Sequence, residues 1–142
     1  MAQATLRIVN RLAEIPRADW DAMSPGGNPF LEWDWLTALD ESGCATAEKG
    51  WAAHHLVLEL AGRIVAACPL YLKGNSEGEF VFDHEWAHAA RSAGLRYYPK
   101  LLVAVPFTPA TGRRLLVHPD VPAEERPAYL PCRPRSQRQG RT

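Results

Sequence analysis

At 142 residues the chain has room for one ordinary domain with its own core. Its 46% hydrophobic content and five tryptophans exclude a purely disordered polymer. The formal charge of zero hides an asymmetry: Arg133, Arg135, Arg138 and Arg141 crowd the last dozen residues without an acid, leaving 12 basic against 16 acidic residues before them. A body of that sign does not suit a nucleic-acid backbone, which calls for clustered cations, so no nucleic-acid partner is expected.

No apolar run approaches the roughly 20 residues that span a bilayer, and MAQATLRIVN lacks the uninterrupted apolar stretch of a signal peptide. Cys44, Cys68 and Cys132 share no metal-type spacing. Cys68 lies in an apolar run and reads as a buried free thiol. These features together predict a cytoplasmic protein without a transmembrane segment.

In chain order, the β-branched residues of Thr5 to Ile15 predict a first strand, stopped by Pro16. A short helix follows, opening on that proline. Ser24-Pro25-Gly26-Gly27 reads as a loop. Asn28-Pro29 is a helix start, with a capping side chain and a proline whose missing N–H costs nothing there. The helix is expected to run from about Pro29 to Ser42 and to end at Gly43. Leu31, Trp35, Ala38 and Leu39 share its inner face, Glu32, Asp40 and Glu41 stay wet, and Trp33 lies off the inner face.

His54 to Leu60 and Arg63 to Leu72 form the clearest hairpin, turned at Ala61-Gly62. Pro69 marks an edge, a bulge or a strand end. Glu79 to Phe82 is a candidate short strand. His84 to Ala93 predicts a helix capped by Gly94. Two apolar runs, Leu101–Val105 and Leu115–Val117, then bracket the bend Pro106-Phe107-Thr108-Pro109-Ala110-Thr111-Gly112 and the pair Arg113-Arg114. The first run reads as a buried central strand feeding a ligand cradle.

Three constellations bear on chemistry. His84-Glu85-Trp86-Ala87-His88 matches H-E-x-x-H, which on a helix puts two imidazoles on one face for zinc, with the glutamate activating water. Its context is poor: Arg91 stands where the extended motif needs glycine, no downstream histidine follows at the right spacing, and Asp120, Glu124 and Glu125 are the nearest later carboxylates. A surface helix with coincident histidines is the competing reading. His54-His55 point to opposite faces of a strand, and Asp83 is a potential acid–base partner for His84 or His88. Tyr97, Tyr98, Lys100, Thr108, Thr111 and Arg113 offer aromatic, hydroxyl and cationic contacts to a polar or phosphorylated ligand. The competing reading packs the tyrosines and solvates the arginines. No catalytic residue is assigned.

Several segments, in order, resemble one bacterial family: Asn28-Pro29-Phe30-Leu31 with the stretch LTALDESG, Pro69-Leu70-Tyr71-Leu72-Lys73, and Gly78-Glu79-Phe80-Val81-Phe82-Asp83. Tyr97-Tyr98-Pro99-Lys100-Leu101 followed by Ala104-Val105-Pro106-Phe107-Thr108-Pro109 and Gly112 carry the likeness furthest. Over residues 28–118 the chain resembles the FemAB-like peptidoglycan-biosynthesis proteins of the GNAT acyltransferase superfamily.

The resemblance implies an α+β, GNAT-like partial domain: a mixed or antiparallel sheet with flanking helices. It implies acyl or aminoacyl transfer to a substrate amine, with a small-molecule or cell-wall-precursor substrate. It also implies that residues 1–119 are the N-terminal part of a longer, tandem-domain protein with a second domain beyond them. No cofactor is expected within this chain; acyl-CoA or aminoacyl-tRNA would serve a full-length relative. The expected Gln/Arg-x-x-Gly-x-Gly/Ala phosphate loop after Val105-Pro106 is absent. Residues 120–142 read either as a disordered basic tail or as an out-of-frame continuation. In isolation the chain is expected to be inactive. The two alternatives are a zinc-dependent hydrolase through His84, Glu85 and His88, and a non-catalytic ligand-binding module.

Overall fold

The computed structural model describes residues 4–24 and 26–126. Pro25, Cys132 and the arginine-rich end of the chain lie outside them. The described residues form an α+β fold of three α-helices and two antiparallel sheets, an arrangement compatible with a partial GNAT-like domain.

The first strand, β1 (Ala4–Val9), is shorter than the sequence predicts; the chain then tightens into a 3-10 turn at Leu12–Glu14. Glu14 closes that turn by accepting from Arg11 N at 3.1 Å, and Asp40 accepts from Leu12 N at 3.0 Å. Leu12 and Ile15 are thereby pulled into the core rather than lying along a strand. Helix α1 (Arg17–Met23) begins just after Pro16 and buries Trp20 and Met23.

The expected helix from Pro29 is split. Asn28 does cap its start, its side chain accepting from Phe30 N at 3.1 Å, but Pro29–Leu31 is a 3-10 turn and Glu32 is extended. Helix α2 (Trp33–Glu41) starts afresh beyond it. That break resets the helical phase, so the buried face is Leu36, Thr37 and Leu39, while Trp35 and Ala38 face outward. Asp40, expected to be wet, is half-buried on the 12–14 turn, and burial raises its carboxyl from the ordinary value. Trp33 does pack elsewhere: its indole N–H donates to Ile15 O at 3.0 Å, much as Trp20 donates to Leu31 O at 2.7 Å. These two indole bonds tie both helices to the connections around them.

The predicted hairpin forms and organises both sheets. Its first arm is β2 (Trp51–Ala53) and β3 (His55–Leu60), interrupted at His54. Its second is β4 (Arg63–Cys68) and β5 (Leu70–Lys73), interrupted at Pro69, which has no N–H to give a ladder. Ala61 and Gly62 take φ of +51° and +75°, the signature of a type I′ turn. At the interruption His54 N still donates to Leu70 O at 2.9 Å, but the paired arms change sheet there, β3 with β4 in one and β2 with β5 in the other. One sheet has the order β1-β3-β4-β7 and the other β2-β5-β6, where β6 is Lys100–Val103 and β7 is Leu116–Val117.

Two expectations fail in the second half. The run from Leu101 is not a buried central strand: among the described residues β6 pairs only with β5, and Leu101 remains 66% exposed. Successive side chains of a strand point to opposite faces of its sheet, so Leu101 and Val103 lie outward while Leu102 is turned inward. Glu79–Phe82 is not a strand but a series of bends with Phe80, Val81 and Phe82 exposed. Helix α3 (His84–Ser92) forms as predicted and stops before Gly94. The Pro/Thr/Gly bend leaves the second sheet and returns to the first, where Ala66 pairs with Val117. A register slip near Leu58/Glu59 leaves Val65 out of step, and its carbonyl accepts from His118 N at 2.8 Å. Beyond β7, Val121 is buried and Arg126 folds back onto Val121 O and Pro119 O at 2.9 and 3.1 Å.

Candidate functional site

The six residues singled out from the sequence occupy two places. Tyr97, Tyr98 and Lys100 sit at the outer end of the β5–β6 ladder. Thr111 and Arg113 line a cleft beside α1, and Thr108 lies in the connection, half-buried, accepting from Ala110 N at 3.2 Å. The bend carries the chain from one sheet to the other, which separates residues that are close in sequence.

The first place is built around a conflict. Register puts Lys73 directly across from Lys100, and like charges in that position repel. The loop between β5 and α3 supplies two carboxylates to resolve it. Glu79 Oε2 lies 2.8 Å from Lys100 Nζ, and Glu79 Oε1 lies 3.9 Å from Lys73 Nζ. Asp83 accepts from Lys100, from Ser76 and from the Tyr97 hydroxyl, the last at 2.6 Å; Tyr98 bonds to Ser76. Burial works against an ionised Asp83, but the hydrogen bonds from Lys100, Ser76 and Tyr97 prevail and hold its carboxyl well below the usual range. Lys100 is raised for the matching reason, burial being outweighed by Asp83 and Glu79. The Lys100 ammonium is thus taken up within the fold, and Asp83 serves Lys100 rather than His84 or His88.

Lys73 is fully buried. Its ammonium donates to Glu77 O at 2.9 Å and stands 3.6 Å from the centroid of the Trp51 ring. Burial lowers its pKa to about 8 despite the pull of Glu79. The sign follows from proton counting. Between about pH 8 and the ordinary lysine range the unfolded chain binds more protons, so stability rises with pH across that interval. Chemical denaturation from pH 7.5 to 10 should show this rise in the wild type and lose it in Lys73→Met. An equal rise in the variant would assign it to other groups.

The second place is a cleft of about 1070 Å³ between the end of α1, the loop around Asn28, and residues 110–117. Three arginines, Arg113, Arg114 and Arg126, are among its lining residues, together with Asn28 and Thr111. None of its described lining residues is acidic. Arg114 is held in place by the carbonyls of Ala110 and Arg113, and burial lowers its pKa from the usual value. Gly112 brings the backbone close, since a Cβ there would stand 2.9 Å from Asn28 Nδ2. Met23, Phe30, Leu31 and Leu116 give the cleft an apolar floor.

Sequence reasoning marked Arg113 and Thr111 but treated Asn28 only as a cap and left Arg126 without a role. It also missed Lys73, Ser76 and Glu79. The paired lysines at the ends of two adjacent strands, with acids four apart at 79 and 83, were the available signal.

The other histidines have structural surroundings. His55 is fully buried edge-on to Tyr71 at 5.1 Å, and burial, then His54, lowers its pKa to about 4. His84, Glu85 and His88 lie exposed on α3. Among the described residues no group of three or more His, Cys, Asp or Glu is placed to hold a metal, so the H-E-x-x-H pair finds no third ligand there. No described helix is long and apolar enough to cross a membrane.

The described residues thus form an α+β fold with an arginine-lined cleft that has no acidic lining residue. The chain belongs to the FemAB-like family, described as peptidoglycan biosynthesis/recognition, which it matches over residues 11–136. No curated protein and no solved structure matches it significantly.

Proposed function

We propose that the chain is the ligand-receiving part of an acyl- or aminoacyltransferase of the FemAB-like, GNAT type, acting in the cytoplasm on a peptidoglycan precursor. Family membership over residues 11–136 carries this reading. The cleft supports it, because its volume admits a small-molecule precursor and its lining combines arginines with apolar residues. The transfer would be attack of a precursor amine on an activated acyl carbonyl, the donor being acyl-CoA or aminoacyl-tRNA. A base must take the amine proton, yet the described lining residues include no His, Lys, Asp, Glu or Cys. Binding without turnover is therefore the expected behaviour of this chain alone, with the remaining machinery in a further domain.

Titration of the 142-residue chain with a soluble muramyl-peptide precursor should give saturable amide shifts at Gly26, Gly27 and Gly112. Acyl-CoA and aminoacyl-tRNA donors should yield no transfer product. Absence of saturable binding would remove the precursor reading, and turnover by the chain alone would remove the division of labour.

A further inference from the structure

We infer that His84 and His88 on α3 form half of an intermolecular zinc site, which a second copy of this chain completes with its own pair. The site is separate from the cleft, whose described lining includes no residue of α3. It joins two chains rather than activating water.

Helix α3 presents the two imidazoles one turn apart. Residues four apart on a helix share a face, with Cβ atoms about 5–6 Å apart, a span over which two rings reach one ion. Of the chain's five histidines only these two are exposed. His54 is half-buried with its ring 3.1 Å from Ala52 O, His55 is fully buried, and His118 lies 3.6 Å from Asp120. The described hydrogen bonds and ion pair of histidine rings all belong to those three, which leaves the ring nitrogens of His84 and His88 open to a metal.

The described part of one chain does not close the site. Structural zinc takes four ligands in a tetrahedron. Among the described residues no group of three His, Cys, Asp or Glu is placed to hold an ion. Asp83, next to His84 in sequence, is spent on Lys100, Ser76 and Tyr97. Two imidazoles from each of two copies supply four nitrogen ligands of a kind that suits zinc, and a two-fold axis through the ion makes them equivalent.

The surface beside the pair has the character of a contact between copies. Phe80, Val81 and Phe82 lead into α3 at 53%, 78% and 75% exposure. Phe82 stacks on His84 with ring centroids 6.0 Å apart and 25° between the planes, which restrains that imidazole before any metal arrives. Contiguous exposed apolar residues mark interaction surfaces. An isologous contact uses the same patch on both partners, so the ion that joins the histidines also brings this stretch of each copy to the shared axis.

Zinc alone is the probe, added to the tag-free 142-residue chain. Sedimentation velocity should show a monomer in chelator and a dimer in zinc. Calorimetry should give one zinc per two chains, bound more tightly than about 10 μM. Cobalt(II) in zinc's place should give the strong visible bands of a tetrahedral site. His84→Ala and His88→Ala, both at exposed positions, should keep the wild-type circular dichroism, weaken zinc binding at least about tenfold and abolish the dimer. Trp86→Ala, two residues from each histidine and so on another side of the helix, should leave the zinc affinity unchanged. A dimer that persists in chelator and in both histidine variants would overturn the shared site. So would one zinc per chain without dimerisation, no zinc binding below about 100 μM, or an equal loss in Trp86→Ala.

Discussion

Trp51→Ala is expected to lower the unfolding free energy by about 3–5 kcal/mol, enough to abolish a stable fold in a protein of this size. Trp51 is 1% exposed at the start of β2, and three partners converge on it. Tyr71 meets it edge-on at 5.3 Å, Phe107 leans on it at 5.6 Å, and the Lys73 ammonium lies over the ring. Its loss would open a cavity and strip a buried cation of its aromatic cover at once. Gly78→Ala should report on the same packing through the backbone. Gly78 has φ +72°, and an added Cβ would stand 2.6 Å from the Phe107 ring, so both conformation and space resist the methyl group. Thermal unfolding followed by near-ultraviolet circular dichroism would read both variants. Native-like melting of Trp51→Ala would show that the ring is not the keystone of the second sheet.

Asp83→Asn should cost about 2–4 kcal/mol near neutral pH. The amide would turn an N–H₂ group toward donors already arranged for a carboxylate: the Lys100 ammonium, Ser76 and the Tyr97 hydroxyl. The effect should depend on pH. Because the folded carboxyl is depressed, its stabilisation is present above the ordinary aspartate pKa of about 4 and fades as pH falls through and below that value. Wild type should therefore lose stability steeply below about pH 4, and the two proteins should converge there. Parallel acid limbs in urea melts would place the dependence on other carboxylates.

Much of the architecture was legible because it rests on local chemistry. Ala61-Gly62 between two β-rich arms specified the hairpin, and the alanine-rich stretch ahead of Gly94 specified α3. The misread elements are those where tertiary contacts overrule the local pattern. Glu32 breaks the helix that Asn28-Pro29 opens, which turned Trp35 outward. Leu101–Val105 has the composition of a buried strand, yet β6 ends on a sheet edge because the following bend departs for the other sheet.

The site was half legible for the same reason. Residues 97–113 look like one cradle on paper, but the sheet change divides Lys100 from Arg113. Lys100's partners come from a loop whose acids carry no recognisable motif. The cleft is lined by both Asn28 and Arg126, about a hundred residues apart, and nothing in the sequence announces that they share it.

The interruptions at His54 and Pro69 set the character of unfolding. Each arm of the hairpin is a single length of chain that contributes to both sheets, and the cross-link from His54 N to Leu70 O sits at the hinge. Neither sheet can shed its ladder without loosening the strands that anchor the other. The two layers are therefore one cooperative unit, and an aromatic lost beside Trp51 is felt at β1, at the far edge of the other sheet.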